Sequence, residues 1–187
     1  KYLATTASGY LLIETDAGVV TVNPHAARER IAFERLSSAS GAAIPAQQLL
    51  IPDVVHLSPV ESARIGAALT EIRSMGFALE PFGRDTWKVE AVPQLLGSLP
   101  CAAILGTIAR DLADGSVRRT GEKWREDRIA RSIARSFAGT PVALDEASAT
   151  RLVEDLAACR MPYVCPRGKP IMIFTSTREL NRKFNRD

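Results

Sequence analysis

The chemistry-bearing residues of this chain concentrate in Asn23-Pro24-His25-Ala26-Ala27-Arg28-Glu29-Arg30-Ile31-Ala32-Phe33-Glu34, where an imidazole and a carboxylate stand four residues apart. On a helix, His25 and Glu29 share one stripe with Ala32 and Leu36, while Glu34 falls roughly 180° round from His25 at about 100° per residue. His25 and Glu29 are therefore placed to share a metal ion, and Glu34 is not. An isolated pair of this kind is also an ordinary surface arrangement, because a zinc site takes three or four ligands from a supporting shell.

The elements that must position this stripe are legible around it. Tyr10 to Glu14 and Gly18 to Asn23 read as strands about the turn Asp16-Ala17-Gly18, and Pro24 suits a first helical turn, where no backbone N–H is missed. A loop is expected over Ser37 to Pro45, then an extended segment from Gln47 through Leu57. Ser58-Pro59-Val60-Glu61 is a capping box opening a helix that carries Ile65, Leu69 and Ile72 and stops at Met75-Gly76. Phe77 to Glu80 and Thr86 to Val92 form a hairpin about Gly83-Arg84-Asp85, and Pro93 ends it. Helices follow from Pro100 to Leu112, from Glu122 to Phe137 and from Asp145 towards Cys159. An irregular link from Tyr163 to Pro170 leads into the apolar strand Ile171 to Phe174 and a short polar helix.

Composition bounds the class. The chain has 187 residues, 46% hydrophobic and 24% charged, enough for one sizeable core or two smaller ones. No apolar run approaches the roughly 20 residues needed to span a bilayer, so no membrane partner is expected. Three cysteines at unhelpful spacings read as reduced thiols, with Cys101 and Cys159 as small buried apolar residues. The chain opens at Lys1 without a methionine, as a piece of a longer protein would. The net charge of +3 is small but uneven. Arg118, Arg119, Lys123, Arg125, Arg128, Arg131 and Arg135 face only Glu122, Glu126 and Asp127, and Arg178, Arg182, Lys183 and Arg186 close the chain. Such runs are usually solvated helix faces; phosphate contact, through Lys123, Arg128, Arg131 and Arg135 above all, is the second reading.

Three patterns in order give the chain a wider likeness. Asn23-Pro-His-Ala-Ala-Arg-Glu-Arg-Ile is similar to Asp-Gln-His-Ala-x-x-Glu-x-x-x-x-Glu, Cys165-Pro-Arg-Gly-Lys-Pro to Cys-Pro-His-Gly-Arg-Pro, and Phe184-Asn-Arg to a terminal Phe-x-Arg. In this ordered set the chain resembles, over nearly all its length, the C-terminal domain of the MutL family of bacterial DNA mismatch-repair proteins. The resemblance implies an α+β fold of two lobes. Residues 1–47 and 140–187, both chain ends, would build a sheet-and-helix dimerisation lobe, with 48–139 inserted as a smaller α/β regulatory lobe. It also implies an N-terminal ATPase region outside this chain, a bacterial cytoplasmic setting with association to the nucleoid during repair, and, in many members, a metal-dependent endonuclease.

This chain departs from that endonuclease pattern. The first carboxylate of the motif is Asn23, a neutral amide that neither attracts a divalent ion by charge nor takes a proton as a base. The histidine two residues after Cys165 is Arg167, a fixed cation that cannot ligate a metal. Ile129 to Gly139 contains no cysteine, where endonuclease members carry one. Of the catalytic motif Asn23, His25, Glu29 and Glu34, with Cys165, three ligands remain: His25, Glu29 and Cys165, which would take zinc or manganese. The expected outcome is a degenerate site in which Glu29 pairs with Arg167 and no cofactor is required, pointing away from an enzyme.

Gln47-Gln-Leu-Leu-Ile-Pro resembles the family's sliding-clamp-binding motif, with Gln47 for a polar rim, Leu49, Leu50 and Ile51 for an apolar pocket, and Pro52 restricting the free chain. An ordinary core strand reads equally well from these residues. The partners implied are a second copy of the chain, the replication clamp and, through the full-length protein, a mismatch-recognition protein and DNA. The leading expectation is thus a homodimerising, partner-binding domain. An active metal-dependent DNA-nicking domain and a basic nucleic-acid-binding module remain as alternatives.

Overall fold

A computed structural model describes residues 1–38, 44–97, 99–113, 122–139 and 144–186. The chain is a mixed α and β structure with two sheets and, among the described residues, seven α-helices. No helix of the described residues is long and apolar enough to cross a membrane. The chain divides into two compact units, Lys1–Ile31 with Ala138–Asp187, and Ala32–Phe137.

The first unit is built on an antiparallel sheet of four strands, β1 (Tyr2–Thr5), β2 (Leu11–Thr15), β3 (Gly18–Val22) and, from the far end of the chain, β7 (Met172–Ser176), in the order β1-β2-β3-β7. Their pairing sets Ile13 beside Val20 and Val20 beside Phe174, which puts these side chains on one face. That face packs on helix α1 (Pro24–Ser38) and α6 (Glu146–Ala157) through Leu11, Val22, Ala27, Ile31, Ala149 and Leu156. Asp145 caps α6 by accepting the Ser148 N–H at 2.8 Å. A short helix α7 (Thr177–Lys183) follows β7, capped by the Ser176 hydroxyl. Gly18 has φ +152, and a Cβ there would meet the Thr175 carbonyl oxygen at 2.2 Å, so only glycine lets β3 and β7 lie this close.

The second unit carries a three-stranded antiparallel sheet in the order β4 (Ala46–His56), β6 (Thr86–Pro93), β5 (Ala78–Gly83). The β5-β6 turn uses Asp85 at φ 55. One face is covered by α2 (Pro59–Ala67), α3 (Leu69–Ser74), α4 (Cys101–Ala113) and α5 (Glu122–Ala138), whose Ile65, Ile72, Ile104, Ile108, Ile129 and Ile133 make a closed apolar core with Val89. Trp87 buries its ring there and donates its indole N–H to the Ser62 hydroxyl at 3.0 Å. Burial, then the nearby Asp53 carboxylate, push the Cys101 thiol up to about 11, as befits a packing residue.

Most expected elements are present, and four differ. Tyr2–Thr5 is a strand that its four residues alone did not announce; its partner β2 supplies the order. The helix expected from Pro59 to Met75 is two helices. Ala68 leaves helical geometry at φ −117, ψ 20 and turns its N–H to the Ile65 and Gly66 carbonyls, a tightening that no glycine or proline signals. Helix α1 continues through Ser37 and Ser38, because the buried Leu36 extends its apolar face; the rest of the loop expected there, 39–43, lies outside the described residues. Cys159 is half-buried rather than buried, since it sits just beyond α6 with its thiol directed to the Asp155 carbonyl at 3.5 Å.

Candidate functional site

Helix α1 begins where β3 ends, and Asn23 makes the junction. Its backbone N–H donates to the Ile171 carbonyl at 2.8 Å, and its side-chain oxygen accepts the Ala26 N–H at 3.1 Å. The amide thus caps α1. Six residues on, Glu29 is buried with 1% exposure.

The segment from Tyr163 to Ile171 closes over it. Ile171 donates to the Tyr163 carbonyl, Cys165 to the Lys169 carbonyl and Gly168, at φ +79, to the Cys165 carbonyl, so the segment is a tight hairpin loop that aims Cys165 and Arg167 at α1. Arg30, itself buried, fixes the loop from below by donating its Nε–H to the Val164 carbonyl at 2.7 Å. Within this frame Arg167 grips Glu29 with two parallel bonds, Nε to Oε1 at 3.0 Å and an Nη to Oε2 at 2.7 Å. The hydrogen bonds to Glu29 hold the Arg167 guanidinium above its ordinary range, and Cys165 adds a smaller contribution in the same direction.

Asn23, His25, Cys165, Arg167 and Lys169 line a cleft of about 440 Å³, with Tyr10 at its rim. His25 is exposed and Cys165 buried. Glu34 lies further along α1 and does not line the cleft. The donor set does not fit a divalent ion: both Glu29 oxygens are taken by a cation, Asn23 is occupied as a cap, and a lysine faces the same space. Among the described residues, no group of three or more His, Cys, Asp and Glu side chains stands together to hold a metal.

Gln47 to Pro52 lies in β4, paired with β6 at Ala46 to Gln48 and again from Asp53 to His56, with the register shifting between. Leu49 packs against the core of its unit, while Leu50 and Ile51 project at 104% and 82% exposure. Gln47 and Pro52 are also exposed.

Most arginines of the basic helix α5 have partners within the chain. Arg135 donates to both carboxylate oxygens of Asp111 at 2.7 Å, Arg128 donates to the Asp111 carbonyl and lies over the Trp124 ring, and Arg131 pairs with Asp127 at 2.7 Å. Lys123 is exposed. Arg118 and Arg119 lie outside the described residues. Sequence reasoning did not single out Arg30 or Asp111. Arg30 was findable, because it stands four residues after Ala26 on the buried side of α1; Asp111 had no local signal, since its partners lie on the next helix.

Comparison with known proteins gives the family of the chain. The family model described as "MutL C terminal dimerisation domain" matches residues 3–139. The chain is 35% identical over 184 residues to the DNA mismatch repair protein MutL of Akkermansia muciniphila, covering 98% of this chain and 29% of that protein. It is 32% identical over 177 residues to MutL of Methanothrix thermoacetophila, covering 95% and 31%, and 33% identical over 181 residues to MutL of Methanocorpusculum labreanum, covering 95% and 30%. The chain thus spans about 30% of the length of these curated relatives. With the family model covering most of its length, the chain belongs to the family of C-terminal dimerisation domains of the DNA mismatch repair protein MutL.

Proposed function

We propose that this domain joins two copies of a mismatch-repair protein and docks its partners, and that it leaves DNA cleavage to others. The observation that carries this reading is the double hydrogen bond from Arg167 to the buried Glu29. A guanidinium there supplies, permanently and without exchange, the positive charge that a divalent ion would bring to a catalytic carboxylate. It also repels the two closely spaced ions, about 3.5–4 Å apart, on which phosphodiester hydrolysis of this kind depends. The degenerate motif is then Asn23, His25, Glu29 and Glu34 with Cys165.

The unit formed by both chain ends is the dimerising lobe in this reading, and Ala32–Phe137 the regulatory one. In support, β7 is an edge strand of its sheet and leaves Ile173 on its outer face largely exposed and Phe174 on the helix-packed face half exposed. A second copy would cover them and raise the effective concentration of the two attached arms. The projecting Leu50 and Ile51, with Gln47 and Pro52, suit a strip that docks on a sliding clamp. The full-length protein would act in the cytoplasm at the nucleoid, with a mismatch-recognition protein.

Light scattering of the purified chain, metal analysis and a plasmid-nicking assay with manganese test the reading together. The expected result is a dimer without stoichiometric zinc or manganese and without nicking. Manganese-stimulated nicking that disappears in Glu29→Ala would overturn it, as would a monomer at micromolar concentration.

A further inference from the structure

The geometry points to the cleft beside Arg167 as a binding site for a small organic phosphate, a phosphomonoester whose charged head meets the nitrogen-bearing side chains and whose apolar body lies on the rest of the lining. The inference rests on the reading that no divalent ion occupies this cleft, and it names what the cleft holds instead.

The nitrogen-bearing side chains on the lining, Asn23, His25, Arg167 and Lys169, offer donors, and no carboxylate lines the cleft. Asn23 spends its side-chain oxygen on the Ala26 N–H, which leaves its Nδ2 hydrogens without a partner among the described residues. An aspartate there would turn an acceptor to the same space. The His25 imidazole and the Lys169 ammonium are likewise unpaired among the described residues. Arg167 commits its Nε and one Nη to Glu29, yet 40% of its side chain still reaches solvent. Glu29 cancels the charge of Arg167, so the arginine acts as a fixed donor and Lys169 supplies the net positive charge.

This set outnumbers the two oxygens of a carboxylate and suits a phosphomonoester, which carries three strong acceptor oxygens at the end of a molecule. The donors border one cleft of about 440 Å³, the size of a small-molecule site, whereas a polymer backbone is met by contacts spread along its length. Tyr10, half exposed at the rim, adds an apolar wall with Pro170 and Ile171. The frame is fixed before a ligand arrives. Cys165 donates to the Lys169 carbonyl and Gly168 to the Cys165 carbonyl, both at 2.8 Å, and the double bond to Glu29 holds Arg167, so binding orders little.

The test is titration of the purified chain with phenyl phosphate and with inorganic phosphate, in chelator, at constant pH and ionic strength. Ile173 also borders the cleft and belongs to the proposed dimer face, so the chain is used in the assembly state that light scattering finds. The chain has two histidines, and their imidazole resonances give an internal control, because His25 lines the cleft and His56 ends β4 in the other unit. The His25 signal is expected to shift and saturate with phenyl phosphate at a dissociation constant on the order of 1 mM, about fivefold tighter than with inorganic phosphate, while His56 stays in place. Lys169→Gln should weaken binding at least about fivefold by removing the net charge. Asn23→Asp keeps the α1 cap but sets a carboxylate among the donors, and should weaken binding at least about tenfold. The proposal is overturned by the absence of a saturable His25 shift, by equal shifts of both histidines, by equal affinity for the two phosphates, or by unchanged affinity in Asn23→Asp. Displacement of phenyl phosphate by duplex DNA lacking terminal phosphates overturns it as well. Where metal analysis finds neither zinc nor manganese, any of these results removes this site alone and leaves the proposed function standing; phosphate binding that requires added manganese overturns both.

Discussion

Arg167 reaches across 138 residues of sequence to hold both oxygens of Glu29, whose carboxylate is 1% exposed. Removing the arginine leaves a buried charge without a partner, whereas removing both partners leaves only a small void. Arg167→Ala is therefore expected to lower stability to urea unfolding by about 2–4 kcal/mol, somewhat less than a fully enclosed pair because the guanidinium is partly exposed. The double variant Arg167→Ala with Glu29→Leu should recover most of that loss. If the single variant unfolds like the wild type, the pair does not stabilise the fold.

Acid should act first on the helix starts. The Asp145 carboxyl is held below its ordinary value chiefly by the Ser148 hydroxyl, with the Ser148 backbone N–H second, and Glu61 is held low by the Ser58 hydroxyl. A carboxyl depressed in the folded state contributes stability that is fully present above its unfolded value, near 3.9 for Asp and about 4.3 for Glu, and is lost as pH falls through the folded value. Stability is thus expected to drop below about pH 4.5. Asp145→Asn keeps the cap oxygen but cannot titrate, so its unfolding midpoint, followed by circular dichroism between pH 5 and 2.5, should fall less steeply than that of the wild type. An equally steep fall would show that Asp145 takes no part.

What the sequence made legible followed local rules. The capping box at Ser58 and Glu61 appears with both reciprocal bonds, and Pro24 starts α1 as its fixed φ requires. The Glu29–Arg167 contact was also readable, because an arginine standing where the resembled pattern has histidine finds one evident partner in a carboxylate. The break at Ala68 was not, since helical spacing of Ile65 and Ile72 survives a one-residue irregularity. Nor was the state of the α5 arginines: a run of charge does not reveal whether Asp111 on a neighbouring helix will engage it. Gln47 to Pro52 allowed two readings, a core strand or a projecting strip, and the register shift in β4 divides them residue by residue: Leu49 packs inward while Leu50 and Ile51 stand in solvent.

That division separates folding from recognition. Leu50→Ser with Ile51→Ser removes apolar groups that are already in water, so urea unfolding is expected to change by less than about 0.5 kcal/mol. Leu49→Ala, which thins the edge of the core, should cost about 1–2 kcal/mol. If Leu50 and Ile51 anchor the chain on a sliding clamp, the serine pair should weaken clamp binding at least tenfold in a surface-plasmon measurement, although the fold is intact. Unchanged clamp affinity would remove these two residues from the interface.

Gly18 tests how firmly the two chain ends are joined. It pairs with Ser176 where β3 meets β7, in a backbone conformation at φ +152 that side chains rarely adopt, and an added Cβ would lie 2.2 Å from the Thr175 oxygen and 2.7 Å from the Ser176 Cα. Neither neighbour is a flexible side-chain tip, so the strands themselves must separate. Gly18→Ala is expected to destabilise by about 2–3 kcal/mol through strain and lost pairing. Because β7 is an edge strand and carries Ile173 and Phe174, the same change should displace the proposed dimer face, and light scattering should show the dimer dissociating at higher protein concentration than the wild type. Gly9, where a Cβ would meet nothing within 4 Å despite φ +82, is the control. Gly9→Ala should cost only about 1 kcal/mol for its left-handed backbone and leave association unchanged. Equal loss of dimer in both variants would mean that general destabilisation, rather than the β3-β7 contact, governs assembly.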